Sequence, residues 1–236
     1  MNSTVEYKEY NWDYLNTKAY NNTIGRYRTD IELAFITKYI TEENEKILDI
    51  AGGSGRITIP LIKYSNDITV TDINTKAMQI LDERDLGIKT VCGDFSQTDF
   101  PNLYTLILCI EGPDYFNDWD EFFGKVSSLL EEKGKCIFTY TNPGSWRYML
   151  RRIKNRNKKN PYHVHSFGDL KKLLLRKGFE IKEIRGFNWM PFPVNSNSPL
   201  VNFCSFLEKN LKLYKWYSQS PWMLISIKKN SKLSKQ

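Results

Sequence analysis

The chain has 236 residues, 41% of them hydrophobic and 26% charged, with a formal net charge of +7. That balance argues against disorder outside the ends and suits one generous domain, or one domain with added caps. No apolar run approaches the roughly 20 residues needed to cross a bilayer, and Met1–Tyr20 is polar and aromatic rather than signal-like, so a cytoplasmic protein with no transmembrane segment is expected.

Residues 1–40 lack strand alternation. Ile31, Leu33, Ala34, Ile36, Thr37 and Ile40 predict an amphipathic helix with Asp30 near its start, and the upstream tyrosines predict a further helix or lid. From Lys46 the texture changes. Lys46–Ile50 reads as a strand, Arg56–Lys63 as a helix, Ile68–Thr71 as a strand and Asn74–Arg84 as a helix. Ile88–Val91 is a third strand, and Leu103–Ile110 a fourth, apolar enough to be covered on both faces. Asp118–Leu130 is helical, Lys135–Tyr140 a fifth strand, Ser166–Lys177 a helix ended by Gly178, Phe179–Ile184 the start of a sixth strand, and Met223–Lys228 a last strand.

Strands and helices that alternate over short links predict an α/β fold: a three-layer αβα sandwich on a mostly parallel, doubly wound sheet of seven strands. Residues 1–42 are expected to form an N-terminal helical cap or lid and 43–236 the main domain. Within that domain, residues 186–220 hold three prolines and a helix over Leu200–Leu213, and read as an insertion near the sheet's C-terminal edge. The cysteines Cys92, Cys109, Cys136 and Cys204 show no paired spacing. The first three sit in apolar, strand-like runs and are expected to be small buried hydrophobes of a reducing compartment.

The strongest signal is Asp49-Ile50-Ala51-Gly52-Gly53-Ser54-Gly55, where a strand runs into small residues and then a helix. Small residues let a ligand approach the backbone, and the helix start offers unpaired N–H groups. A dinucleotide fingerprint beginning at Gly53 fails, because Thr58 stands where its third glycine would fall, and no P-loop ending follows. Asp49 would repel a phosphate but suits a cation. Asp72, at the end of the second strand and 17 residues after Gly55, can accept from ribose hydroxyls. After the third strand, Asp94 can accept from an adenine amino group while Phe95 lies against the ring.

In this order on successive strands, these residues resemble the class I (Rossmann-like) S-adenosylmethionine-dependent methyltransferases, in particular their small-molecule branch. The family's first motif, D-x-G-x-G-x-G, is met with Ala51 in place of the first glycine. The resemblance extends over about residues 25 to 185. It implies S-adenosylmethionine as cofactor, with Asp72 on the ribose and Asp94 and Phe95 at the adenine. Asp49, Ala51, Gly52, Gly53, Gly55, Ile73 and Ile110 complete the expected donor site, and Tyr27, with Tyr20, is expected to cover it.

Methyl transfer displaces a leaving group from an already activated carbon, so alignment of the partners does most of the work and can supply roughly 7–11 kcal/mol. A base is needed only if the acceptor holds a proton. The candidates are Glu111 and Asp114, in the loop after the fourth strand, and His163 and His165, which would share a face of an extended segment. The alternatives for these residues are a turn cap for Asp114, a donor contact for Glu111, and a structural hydrogen bond for either His. No third ligand accompanies the histidines, so no metal is expected. The densest charge runs from Arg147 through Arg151, Arg152, Lys154, Arg156, Lys158 and Lys159, which is either a solvated face or a site for an anion. Phe187–Pro193 with the following helix is apolar and aromatic. It reads first as the core of a cap, with an acceptor lining or a membrane-surface contact as alternatives.

The expected reaction is methyl transfer to an O or N atom of a small metabolite or saccharide, with an anionic or sugar-like acceptor and a monomer or homodimer as the working form. An RNA or protein methyltransferase, favoured only by the positive charge, and a non-catalytic donor-binding protein remain the alternatives; no RNA-binding module accompanies the charge.

Overall fold

Period-two alternation along β1 (Lys46–Ile50) splits its side chains between two cores in the computed structural model, which describes residues 13, 17, 20–41, 45–154 and 165–230. Leu48 and Ile50 join one buried cluster; Ile47 joins the other. β4 (Tyr104–Cys109) repeats the division, Ile107 and Cys109 on the first side and Leu106 and Leu108 on the second. The sheet is therefore covered on both faces, as the apolar run at β4 predicted.

Seven strands lie in the order β3-β2-β1-β4-β5-β7-β6. β1 to β5 run parallel, and β7 is antiparallel to both β5 and β6. The remaining strands are β2 (Asp67–Asp72), β3 (Lys89–Cys92), β5 (Leu130–Thr141), β6 (Phe179–Phe187) and β7 (Trp222–Lys229). The chain turns from β3 back across β1 to β4, and that reversal opens a crevice at the carboxyl ends of β1 and β4.

Seven α-helices occur among the described residues: α1 (Thr23–Thr37), α2 (Thr58–Leu61), α3 (Thr75–Asp82), α4 (Trp119–Leu129), α5 (Trp146–Lys154), α6 (Phe167–Arg176) and α7 (Leu200–Asn210). α1 starts well before Asp30. Asn22 caps it, accepting from Gly25 N–H at 2.9 Å. The apolar stripe begins at Ile24 and continues through Tyr27, Ile31 and Phe35. α2 is shorter than the predicted Arg56–Lys63, because Pro60 lacks the N–H that would bond to Arg56. β5 begins five residues earlier than expected: its polar start, Glu131-Glu132-Lys133-Gly134, hides a strand that slips register against β4. Ser166 caps α6, and Gly178 closes it at φ 77°, as predicted.

Cys109 and Cys136 are buried as expected, but Cys92 is exposed. It ends β3, which forms one edge of the sheet. The 186–220 segment contributes α7 and two single 3₁₀ turns before the chain returns as β7 between β5 and β6. α7 packs on α1, with Val201 and Met190 against Ile24 and Tyr27.

Candidate active site

A cavity of about 400 Å³ opens at the carboxyl ends of β1, β2 and β4, within the usual range for small-molecule sites. Asp49, Ala51, Gly52, Asp72, Ile73, Asp94, Phe95, Ile110 and Glu111 all line it. These were drawn from four separate stretches of the chain, and the parallel sheet brings them to one mouth.

The loop after β1 is held by its neighbours. Gly53 N–H donates to Asp72 Oδ2 at 2.9 Å, and Asn74 N–H to Asp72 Oδ1 at 2.8 Å. Ala51 adopts φ 57°, a left-handed conformation that costs an L-residue roughly 1–2 kcal/mol. Glycine at that place in the family motif would carry no such cost. Gly53 and Gly55 do not line the cavity; their positive φ values shape the loop from behind. Across the crevice Gly112 lets the β4 loop close on the β1 loop, since a Cβ there would come within 3.0 Å of the Ala51 Cβ.

Asp49 is 1% exposed and accepts from the Thr58 hydroxyl. Burial pushes its carboxyl up to about 7, against the opposing pull of Thr58 and Arg56. Burial also raises Asp72, which its backbone donors only partly offset. Asp94 accepts from Ser96 N–H at 2.9 Å. Phe95 is 4% exposed, its ring packed among Phe100, Phe116 and Phe122 at centroid distances of 5.7–6.0 Å, so it offers the cavity little surface. Carboxylates at three adjacent strand tips oppose a pyrophosphate and suit a nucleoside that carries positive charge.

Beyond them stands Glu111, on a left-handed backbone at φ 60°. Tyr20 O–H donates to its Oε2 at 2.7 Å, Arg56 reaches its Oε1 at 3.3 Å, and Arg28 lies 3.8 Å away. Burial opposes its ionisation, yet Arg28 and Arg56 outweigh that and hold the carboxyl below the ordinary carboxylate value. Arg56 also pairs with fully buried Glu32 at 2.6 Å and donates to Thr29. Burial lifts Glu32 to about 7, the Arg56 charge opposing it. The Tyr20 ring faces both guanidinium groups, at 4.3 and 4.9 Å. Tyr20 reaches the site because its backbone rests on Gly25, where any Cβ would collide with it.

Tyr27, expected with Tyr20 as a cover, does not line the cavity. Its hydroxyl is buried against Glu208 at 2.7 Å and accepts from Asn188 N–H, so it ties α1 to α7 away from the cavity. Asp114 is also absent from the lining: it accepts from the Thr141 hydroxyl, and burial raises its carboxyl to about 6. His165 borders a second cavity of about 350 Å³, its ring 4.7 Å from that of Trp119. The turn at Asn117–Asp118 lies between the two cavities and lines both. His163 and the basic residues Arg156, Lys158 and Lys159 lie outside the described residues.

Tyr20, named only as a possible cover, and Arg56, Arg28 and Glu32 are the contributors that the sequence left unassigned. A signal existed: Arg28 and Glu32 stand four apart beside the apolar stripe of α1, and two charges at that helical spacing beside a buried face call for buried partners.

The fold and site define a Rossmann-like nucleoside-binding protein. The sequence profile described as a methyltransferase domain matches residues 22–184. No curated protein matches the sequence at a significant level. Among solved structures, magnesium protoporphyrin IX methyltransferase from Synechocystis PCC 6803, with bound S-adenosylhomocysteine, superposes with a TM-score of 0.67 at 13% identity, over 95% of this chain and 99% of that one. An S-adenosylmethionine-dependent methyltransferase, so described, from Listeria monocytogenes gives 0.64 at 17% identity, over 87% and 100%. Phosphoethanolamine N-methyltransferase 2 from Haemonchus contortus gives 0.59 at 14% identity, over 86% and 53%. The chain belongs to the methyltransferase-domain family and is a class I S-adenosylmethionine-dependent methyltransferase.

Proposed function

We propose that the chain transfers a methyl group to an oxygen or nitrogen atom of a small polar acceptor, a metabolite or saccharide. S-adenosylmethionine supplies the methyl group as a carbon already activated by its sulfonium. In this reading Asp72 accepts from the ribose hydroxyls, Asp94 from the adenine amino group, and Asp49 with Ala51 and Gly52 surrounds the cationic part. Ile73, Phe95 and Ile110 add apolar contact. Tyr20, which lines the cavity, is the N-terminal segment's contact with the site, and residues 186–220 pack on that segment through α7 and α1.

One observation carries the acceptor reading: Glu111 lines the same cavity as the donor carboxylates while two guanidinium groups keep it ionised. A carboxylate held that low is a weak base near neutral pH. Its use is to accept a hydrogen bond from an acceptor hydroxyl or amine and fix that atom in line. Among the described residues His165 and Asp114 face elsewhere, and in this reading alignment rather than proton abstraction is what these residues contribute.

The test is release of S-adenosylhomocysteine across panels of hydroxyl- and amine-bearing metabolites and saccharides. Glu111→Gln should cut turnover about a hundredfold, near 2.7 kcal/mol, while donor affinity changes less than fivefold. Silent panels beside active RNA or protein substrates would overturn the reading.

A further inference from the structure

The amphipathic helix α5 is turned outward on its apolar side. Trp146, Met149, Leu150 and Ile153 fall at the i, i+3, i+4, i+7 spacing of one face. Met149 is 57% exposed, Leu150 58% and Ile153 72%. Arg147 flanks this face and fixes the start of the helix, donating to the carbonyls of Met190 and Phe192. That segment packs in turn against Val201 and Cys204 of α7. α7 is built the same way, with Leu200, Phe203 and Phe206 exposed while Val201 is buried. Both helices follow strand ends at the sheet's carboxyl edge, where Thr141 of β5 and Phe187 of β6 align with Trp222. The donor cavity opens at that same edge.

The charge around these faces has one sign. No Asp or Glu occurs from Lys133 to Gly168, a span that holds Arg147, Arg151, Arg152 and Lys154. From Ile184 to Gln236 the sole carboxylate is Glu208, and it is buried against Tyr27. Lys209, Lys212 and Lys215 of the α7 region therefore face no competing surface anion from their own segment.

We propose that the exposed faces of α5 and α7 dock this chain onto an anionic phospholipid surface. Exposed aliphatic and aromatic side chains bordered by Lys and Arg are the chemistry of a helix lying in the headgroup layer. A second copy of the chain would set two cationic faces against each other. RNA would leave the aliphatic residues Met149, Leu150 and Ile153 without a partner. The docking stands on a surface apart from the donor cavity, so it survives or fails independently of the acceptor assigned above.

The test is co-sedimentation of the full chain with vesicles of phosphatidylcholine alone or enriched in phosphatidylglycerol, at low and high salt. Binding to the phosphatidylglycerol vesicles is expected, at least about tenfold weaker on phosphatidylcholine or in high salt. Leu150→Asp with Ile153→Asp should lower the partition about tenfold while the melting temperature and the affinity for S-adenosylhomocysteine stay unchanged. Arg151→Glu with Arg152→Glu should do the same through charge alone. No sedimentation with anionic vesicles overturns the proposal. So does binding that both variants retain, or loss of the exposed faces into a dimer or an RNA complex that excludes vesicles.

Discussion

Replacing Asp72 with Ala removes a carboxylate that serves two purposes. In the fold it accepts from the Gly53 and Asn74 N–H groups at 2.9 and 2.8 Å. With donor bound, it accepts from two ribose hydroxyls in the proposed arrangement. A hydrogen bond to a charged acceptor contributes about 1.5–3 kcal/mol. Water can enter the vacated cavity wall, so the low end applies, and two such bonds give about 3 kcal/mol, a loss of roughly a hundredfold in affinity. The fold should suffer less. Two loop N–H groups lose an acceptor, but burial already raises the Asp72 carboxyl, so removing its charge offsets part of the loss. A net cost near 1 kcal/mol would lower the melting temperature by about 2–4 °C. Calorimetric titration with S-adenosylhomocysteine, beside a thermal melt, reads both quantities. Affinity within threefold of the parent, in a protein that melts almost normally, would remove Asp72 from the donor site. Should the melt collapse instead, Asp72→Asn keeps one oxygen for the loop and isolates the binding effect.

Asp49 sets a pH dependence. Burial raises its carboxyl to about 7, so a neutral acid must lose its proton before it can face a cationic donor. Donor affinity should weaken about tenfold per pH unit below 7 and level off above it; a flat profile from pH 5.5 to 8 would remove that role. The sign for folding is opposite: ionising this buried group costs stability, so its contribution falls as pH rises from the ordinary carboxylate value to about 7. Arg56→Met leaves buried Glu32 and Glu111 without their shared cation and should cost about 3–5 kcal/mol in urea unfolding; a loss below 1 kcal/mol would show the cluster to be incidental. Gly25→Ala pushes a Cβ into the backbone of Tyr20 and should weaken donor binding, which an unchanged calorimetric trace would contradict. His165→Ala should leave donor affinity unaltered, since that ring borders the other cavity; a tenfold loss would place it in the site.

Much of the candidate site's lining was legible because it rests on consecutive strand ends. In a parallel sheet every strand ends at the same edge, so Asp49 and Asp72 on β1 and β2, and Asp94 two residues past β3, converge there. Strand pattern and glycine loop were therefore enough to place them at one cavity. Tyr27 and Asp114 do not line the cavity, because each lies in a segment whose facing is set by packing elsewhere. Tyr27 sits on the α1 face turned to α7, and Asp114 turns back onto β5 through Thr141.

The sequence by itself determined the alternation of strands and helices, the glycine turn and the acidic strand ends, because these follow from local spacing and steric rules. The tertiary structure decided which polar groups share one low-dielectric space. Arg28, Glu32, Arg56 and Glu111 are spread from α1 to the loop after β4, and only folding makes their charges neighbours. Electrostatic energy depends on distance and burial rather than on order along the chain, so that cluster, and the ionised state in which it holds Glu111, had to await the fold.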